Sequence, residues 1–151
     1  MNTSSGNETT YVIRPMENSD YPGVKKLWLS IQGFAIRSID DSKEGVFSFI
    51  KRNPTTSIVA EDKDKIVGAL LCGHDGRSGC FYHVCVHEDF RKKGIGKAMA
   101  KVALEALRKE HINKVRTVFN SEQKIENYFA IGTTTVNNVT NAILIKYDRE
   151  F

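Results

Sequence analysis

The sequence predicts an α+β domain, and two patterns along the chain support that prediction. Segments rich in β-branched residues with alternating polar and apolar positions indicate strands, and apolar residues at helical spacing indicate helices. The predicted elements follow one another in the order β-α-α-β-β-β-α-β-α-β. The chain has 151 residues, 40% of them hydrophobic and 26% charged, as expected for one globular domain. We expect that domain over residues 10–151, after a disordered polar tail over residues 1–9.

The first third of the chain is predicted to form one strand and two helices. Alternation predicts a strand over residues 10–14, and Asp20 precedes a helix over residues 21–31 as a candidate N-cap. Asp41 or Ser42 is predicted to cap a second helix that ends before Asn53-Pro54. The apolar residues expected to face inward from these helices are Val24, Leu27, Trp28, Ile31, Val46, Phe47 and Ile50.

The middle of the chain is predicted to form three strands and a long helix. The first two strands, over residues 57–60 and 66–72, flank a charged turn and make a plausible hairpin. A third strand is predicted over residues 80–87, and a helix over residues 96–109 follows it. The apolar residues expected to face inward from that helix are Ile95, Met99, Val102, Ala103 and Leu107.

The last part of the chain is predicted to add a strand, a short helix and a hairpin. The strand covers residues 115–119 and the short helix covers residues 123–131. The hairpin joins strands over residues 133–136 and 142–147 through a turn that contains Asn137-Asn138.

The most informative motif is a glycine-rich loop, residues 91–97, between the third predicted strand and the long helix. It reads Arg-Lys-Lys-Gly-Ile-Gly-Lys, with glycine at Gly94 and Gly96. Glycine lets the backbone approach a ligand closely, and the free N–H groups of a first helical turn attract an anion. Four basic side chains within these seven residues add attraction for a polyphosphate. The loop therefore predicts a pyrophosphate-binding site.

Two common phosphate-binding motifs do not fit this loop. A dinucleotide fingerprint needs a third glycine where Met99 stands and an acidic residue near Lys114. A Walker loop needs a glycine where Arg91 stands and Ser or Thr where Ala98 stands. Each motif fails at two positions, so we expect neither a dinucleotide-binding fingerprint nor a Walker-type nucleotide loop here.

The pattern that remains is Arg-x-x-Gly-x-Gly, preceded by the Val-x-Val sequence of residues 84–86. It resembles the acyl-CoA loop of the GNAT (GCN-related N-acetyltransferase) family, and points to its ribosomal-protein-alanine-acetyltransferase-like branch. The predicted element order over residues 10–132 is also similar to that of the family. The resemblance implies the α+β GNAT fold, in which helices flank a single mixed central sheet and its middle strands splay apart.

The resemblance further implies acetyl-CoA as the co-substrate and no metal. The pantetheine arm is expected to lie along the backbone of Val84, Cys85 and Val86 like an added strand. The pyrophosphate is expected on the glycine-rich loop. The cofactor-binding residues implied there are Arg91, Lys92, Lys93, Gly94, Ile95, Gly96 and Lys97, with Asn120 one position from the family's asparagine, which falls on Ser121.

Family members transfer the acetyl group directly to an amine, and this reaction needs a proton acceptor and a proton donor. In relatives the donor is a tyrosine four residues before a glycine, which implies Tyr128 before Gly132. For the general base the candidates are His83, because imidazole changes protonation near neutral pH, and Glu88 just after the same strand. The acceptor pocket is expected between residues 33–41 and the final hairpin.

The last third departs from the family pattern. Thr133 follows Gly132 where relatives carry Phe or Tyr, and Lys124 and Glu126 replace small apolar residues. This weakens the assignment of Tyr128 more than that of the glycine-rich loop.

Composition excludes several other classes. No apolar run reaches the roughly 18 residues of a membrane span, and residues 1–10 have no signal-peptide pattern. The three cysteines have no framework spacing, so we expect reduced thiols and a cytoplasmic protein.

His83 and His87 would lie about 13 Å apart on a strand, too far to share a metal ion. The expected partners are acetyl-CoA and an amine, with no nucleic acid and no membrane, and a homodimer is left open.

Three functions remain open on the sequence alone. The preferred one is an acetyl-CoA-dependent N-acetyltransferase that acts on a small-molecule or protein amine. The second is an acyl-CoA-binding or sensing module without turnover, which the atypical last third favours. The third is a nucleic-acid-binding domain that uses a lysine stripe, and the lack of interleaved aromatic residues argues against it.

Overall fold

The computed structural model describes residues 10–31, 38–117, 128–136 and 139–146, with side chains over residues 10–31 and 38–116. The predicted tail, residues 1–9, lies outside the described residues. Within the described parts, no helix is both long and apolar enough to span a membrane.

The described elements form in the predicted order as far as the fifth strand. The helices are α1 (Tyr21–Ser30), α2 (Lys43–Arg52) and α3 (Ile95–Lys109). The strands are β1 (Tyr11–Pro15), β2 (Ile58–Asp62), β3 (Lys65–His74), β4 (Gly79–Val86), β5 (Val115–Thr117), β6 (Tyr128–Val136) and β7 (Val139–Lys146).

Five strands form one mixed sheet with the order β1-β2-β3-β4-β5, which confirms the predicted fold class. The first four pair antiparallel in sequence order. Short turns join β2 to β3 and β3 to β4, whereas α1 and α2 lie between β1 and β2. β5 pairs parallel to β4, since α3 makes the crossover between the two strands. The hairpin of β6 and β7 is a separate two-stranded sheet, and β7 lies against β5 and β4.

Each face of the sheet carries its own hydrophobic core. Alternation along β2 places Ile58 and Ala60 under α3, and Val59 under α1 and α2. The buried residues of α3 are Ile95, Gly96, Met99, Ala100, Ala103 and Leu107. Val102, predicted to face inward, is 37% exposed, because residues four apart already fill the buried stripe of α3.

The two N-terminal helices begin in different ways. Ser42, one of the two predicted caps, is the residue that caps α2, and its hydroxyl oxygen accepts from the Gly45 N–H at 3.1 Å. Asp20 precedes α1 but does not cap it with its side chain. Its carboxylate instead accepts from the Arg14 guanidinium at 2.7 and 2.8 Å and from the Glu17 N–H at 2.8 Å. Asp20 therefore fastens β1 to the start of α1.

A β-bulge interrupts the pairing of β3 with β4. Leu71 pairs with Tyr82, but Ala69 pairs with Cys85, so two residues of β4 lie opposite one residue of β3. His83 is at this point and has a positive φ of 51°, a conformation that histidine tolerates better than most residues. The bulge turns the His83 side chain to the face of α1 and α2.

The helix predicted over residues 123–131 is wrong where the structure describes it. Tyr128, Phe129, Ala130 and Ile131 belong to β6, and Tyr128 pairs with Lys146. Aromatic and β-branched residues suit a strand, and pairing with β7 supplies the long-range partner that a local pattern cannot contain. Residues 118–127 lie outside the described residues. The predicted final hairpin is confirmed and is longer than expected.

Candidate active site

The glycine-rich loop opens α3 with the geometry of an anion site. Gly94 is the residue before the helix, in the left-handed conformation with φ 79°. A side chain at Gly94 would meet open space in the part of the chain that the structure describes, so backbone conformation is what requires glycine there. Lys92 also has a positive φ, 63°. The loop therefore has two left-handed residues just before α3.

The first turn of α3 has backbone N–H groups that no carbonyl of the helix accepts. The first intrahelical hydrogen bond runs from the Ala98 N–H to the Gly94 carbonyl at 3.0 Å. The N–H groups of Ile95 and Gly96 precede this bond and have no partner within the helix. Among the described residues, no side chain caps this end and no acidic residue lies in the first turn. An anion is the natural ligand for such a helix start.

Arg91 holds the loop in place, a role that sequence reasoning did not assign to it. Its Nε donates to the Val86 carbonyl at 3.0 Å, and this bond joins the loop to the end of β4. The Lys93 ammonium lies 5.3 Å from the centre of the Phe90 ring, a cation–π distance. Lys92 and Lys97 are exposed beside the loop. The cluster is therefore strongly basic around the helix start.

The strand that leads to the loop has two distinct faces after the bulge. Val84 and Val86 pack on the α3 side, whereas Cys85 is buried on the α1 and α2 side. The described part of β5 pairs with β4 only at Gly79, Cys80 and Phe81. The continuation of β5 lies outside the described residues, so the splay of the two strands stays a prediction.

His83 is held by contacts from two other elements. Its Nε2 lies 2.7 Å from Oδ1 of Asp41, which comes from the turn Ile39–Asp41 before α2. Its ring meets the Trp28 ring of α1 at 5.2 Å between centroids and an interplanar angle of 64°. Asp41 is buried, and the His83 side chain is 30% exposed. The structure thus makes His83 part of a carboxylate–imidazole pair.

Sequence reasoning missed the contact between Asp41 and His83. Asp41 was predicted only as a helix cap, and 42 residues separate it from His83. An acidic residue that directly precedes an N-cap serine carries no local signal for a contact with a distant strand.

The other candidate residues are placed differently. Glu88, the alternative base, is exposed in the short turn Glu88–Phe90 beyond β4. Tyr128 begins β6, and its side chain is not among those described. Asn120 and Ser121 lie outside the described residues, as do residues 33–37 of the expected acceptor pocket.

A separate cavity of about 530 Å³ lies between α1 and the β2–β3 hairpin. Its lining includes Lys26, Asp64, Lys65 and His87, so it carries charges of both signs. It does not include His83, Asp41 or any residue of the glycine-rich loop. We therefore assign the candidate chemistry to the end of β4 and not to this cavity.

Solved structures of acetyltransferases share the fold of this chain. The fold is similar to the PaiA N-acetyltransferase of Thermoplasma acidophilum in complex with coenzyme A, with a TM-score of 0.64 and 14% identity over 91% of this chain and 99% of that chain. It is also similar to a ribosomal-protein-alanine N-acetyltransferase of Brucella melitensis, with a TM-score of 0.56 and 20% identity over 74% of this chain and 82% of that chain.

The sequence itself identifies the family. Residues 17–132 match the Acetyltransferase (GNAT) family, and the chain therefore belongs to that family. Among sequence relatives, an acetyltransferase of Pectobacterium atrosepticum is 27% identical over 141 residues, which are 92% of this chain and 99% of that protein.

Proposed function

We propose that this protein is an N-acetyltransferase that moves the acetyl group of acetyl-CoA to a primary amine within a ternary complex. The single observation that carries the proposal is the start of α3, where backbone N–H groups without a helical acceptor, left-handed Gly94 and a basic cluster lie together. A CoA pyrophosphate supplies the negative charge and acceptor oxygens that this site needs. GNAT family membership supports acetyl transfer as the reaction.

The proposed reaction uses no covalent enzyme intermediate. The amine nitrogen attacks the thioester carbonyl carbon, and the C–S bond breaks as the new C–N bond forms. His83 is the proposed general base that accepts the proton of the amine, and Tyr128 is the proposed acid that protonates the departing CoA sulfur. Holding both substrates in one site makes this attack effectively unimolecular, which supplies much of the acceleration.

The chemistry of the cysteines supports this direct route. Burial raises the pKa of the Cys85 thiol to about 12, although Cys85 lies on the strand proposed to bind pantetheine. Burial likewise raises the pKa of Cys72 to about 12. Thiols of this kind stay protonated at neutral pH and are poor nucleophiles. Neither cysteine is therefore suited to carry an acetyl group.

The acceptor is proposed only as a primary amine, either of a small molecule or of a protein. Solved structures with this fold include a ribosomal-protein-alanine N-acetyltransferase and a diaminobutyrate acetyltransferase, so the fold serves both acceptor classes. The ribosomal-protein-alanine-like branch is one candidate among these. A cytoplasmic location and a homodimer stay predictions.

A panel of amines tested with acetyl-CoA decides the proposal. The panel contains polyamines, amino acids, aminoglycosides, and peptides with a free N-terminus or lysine, and release of CoA thiol is measured. Amine-dependent thiol release with a matching acetylated product is the expected result. Tight CoA binding by calorimetry without turnover on any amine would instead support the acyl-CoA-binding module. Absence of both binding and turnover would remove the proposal.

A further inference from the structure

We propose that the cavity between α1 and the β2–β3 hairpin is a second ligand site, which binds a small zwitterion of amino-acid size. Its volume of about 530 Å³ falls within the range of ~300–1,000 Å³ that is typical of small-molecule sites. It shares no lining residue with the glycine-rich loop or with the contact between Asp41 and His83. The inference concerns binding alone, so it goes beyond the proposed acetyl transfer and does not depend on it.

One wall of the cavity has more hydrogen-bond donors than acceptors. The Asp89 N–H donates to Nδ1 of His87 at 3.1 Å, and Nζ of Lys65 lies 3.5 Å from Nε2 of the same ring. A lysine ammonium can only donate, and an imidazole has one lone pair when neutral and none when protonated. In every protonation state of His87, therefore, at least one of these two donors has no acceptor on the ring. An acceptor atom of a ligand between Lys65 and His87 resolves the mismatch.

The nearest carboxylate of the chain does not resolve it. Oδ2 of Asp89 lies 3.9 Å from Nδ1 of His87, which is beyond hydrogen-bond distance. Lys26 of α1 adds a further ammonium to the lining, and among the described residues its side chain has no hydrogen bond or ion pair. The cations of this wall therefore suit the carboxylate of a ligand.

The carboxylates of the lining differ in what they already bind. Asp20 and Glu61 both accept hydrogen bonds from the Arg14 guanidinium, at 2.7–2.8 Å and 2.8–3.0 Å respectively. Asp64, in the turn between β2 and β3, has no such partner within the described part of the chain. Asp64 is therefore the carboxylate that is available to a cationic group of a ligand.

The floor of the cavity is apolar and closely packed. Leu27 and Ile66 line it, and Leu27 is buried. A Cβ atom at Gly23 would lie only 2.8 Å from Cγ1 of Ile66, so glycine at this position lets α1 lie close against β3. A ligand that packs its carbon atoms on this floor removes apolar surface from water.

These features together favour a zwitterion over a ligand with charges of one sign. A dicarboxylate would be repelled by Asp64, and a polyamine would be repelled by Lys26 and Lys65. A molecule with one carboxylate and one ammonium matches both sets of groups, and an amino acid is of that class.

The first test measures binding directly and needs no turnover. L-amino acids are titrated one at a time into the full protein, and backbone ¹H–¹⁵N spectra are followed. At least one of them should give saturable shifts of the Gly23, Ser30 and His87 amides, which belong to residues of the cavity. Propionate and n-propylamine, which each carry one of the two charges, should bind about tenfold more weakly or less. Absence of saturable shifts at these amides with every amino acid would overturn the proposal.

The second test uses variants that remove one charge each. Lys65→Met should weaken the amino acid about fivefold or more, because it removes a charge-assisted hydrogen bond to the carboxylate. Lys63→Met is the matched control, since Lys63 is exposed in the same turn but does not line the cavity. Asp64→Asn should weaken the amino acid but not propionate. Asparagine suits this position because residue 64 has a positive φ of 64°.

A third variant keeps the test decisive if Lys65→Met does not fold. His87→Asn retains a side-chain acceptor for the Asp89 N–H, as an N-cap residue requires, and removes the imidazole beside Lys65. It should also weaken the amino acid, and melting curves verify that each variant is folded.

Two results would contradict the cavity as the binding site. Equal weakening by Lys63→Met and Lys65→Met would show that only the general surface charge matters. Saturable shifts confined to the Asp41 and His83 amides would place the amino acid at the candidate active site instead. Neither result bears on acetyl transfer, and a failure of acetyl transfer leaves these binding measurements intact.

Discussion

Arg91 Nε donates a 3.0 Å hydrogen bond to the Val86 carbonyl oxygen, and this bond ties the glycine-rich loop to the end of β4. The proposed pantetheine strand and the proposed pyrophosphate loop are thereby held in one fixed relation. A cofactor that contacts both regions binds more tightly when they are already held in place, because the protein loses less conformational entropy on binding. Arg91, the basic residue at the start of the motif, therefore has a structural role in the proposed cofactor site.

Replacing Gly94 is expected to damage CoA binding more than stability. Gly94→Val forces a β-branched residue into φ 79°, which displaces the N–H groups at the start of α3. CoA affinity should fall at least about tenfold, which corresponds to about 1.4 kcal/mol. Gly76→Val is the matched control, since Gly76 also has a positive φ, 88°, with open space around it in the described structure. Calorimetric titration with CoA and melting curves measure both effects, and equal CoA affinity of the two variants would contradict the assigned loop.

Cys85 is expected to be dispensable for chemistry. Its pKa, raised by burial to about 12, makes it unreactive at neutral pH. A thiol reagent applied to the folded protein should therefore label the half-buried Cys80 before Cys72 or Cys85. Mass spectrometry after limited labelling identifies the site, and denaturant should expose all three thiols.

The variant Cys85→Ala should keep kcat within about threefold of the wild-type value. A larger loss in a folded variant, or an acetylated Cys85 trapped during turnover, would replace direct attack with a covalent route.

Asp20→Asn is expected to lower stability in a pH-dependent way. Burial alone would raise the pKa of Asp20, but hydrogen bonds from Arg14 and the Glu17 N–H outweigh it, so the folded pKa lies below the usual range. A carboxyl with a lowered pKa stabilises the fold above its unfolded pKa, and this contribution is lost as pH falls through the folded pKa. At pH 7 the variant should lose about 2 kcal/mol, the scale of hydrogen bonds to a charged group.

Urea unfolding of both proteins at pH 7 and in stepwise acid measures this difference. The gap between wild type and Asp20→Asn should narrow as pH falls below about 4, the ordinary carboxyl pKa. Glu105→Gln is the control, because Glu105 pairs with Arg108 on the exposed side of α3 and should change stability little. A gap that is constant from pH 7 to acid would show that the charge of Asp20 is not what matters.

Tyr128→Phe tests the proposed acid. If the phenol protonates the CoA sulfur, kcat should fall by about 10²–10⁴-fold, while CoA affinity and melting temperature stay near wild type. Tyr82→Phe is the control, since Tyr82 on β4 is 39% exposed and packs edge-on against Phe49. A Tyr128→Phe enzyme within threefold of wild-type kcat, with chemistry rate-limiting, would point to water or another residue as the acid.

Elements whose signals are local could be predicted from the amino-acid sequence alone. Helical spacing in α1 predicted the buried Val24, Leu27 and Trp28, and a cap at Asp41 or Ser42 predicted the start of α2 to within one residue. The glycine-rich loop could also be predicted from the sequence. A left-handed residue before a helix favours glycine, here Gly94, independently of distant contacts. These features depend on residues a few positions apart, so a single sequence contains their cause.

Features that depend on distant partners became visible only in the folded structure. The segment at Tyr128 was predicted to be helical, and pairing with Lys146 places it in a strand. The bulge at His83 arises from the pairing of β3 with β4, and the Asp41 contact arises from packing the turn before α2 over that strand. Burial of both faces of the sheet sets the register of its strands. It also brings the side chains of Asp41 and His83 together, although 42 residues separate them. No short window of sequence contains that information, because the same residues would satisfy their local preferences in other registers.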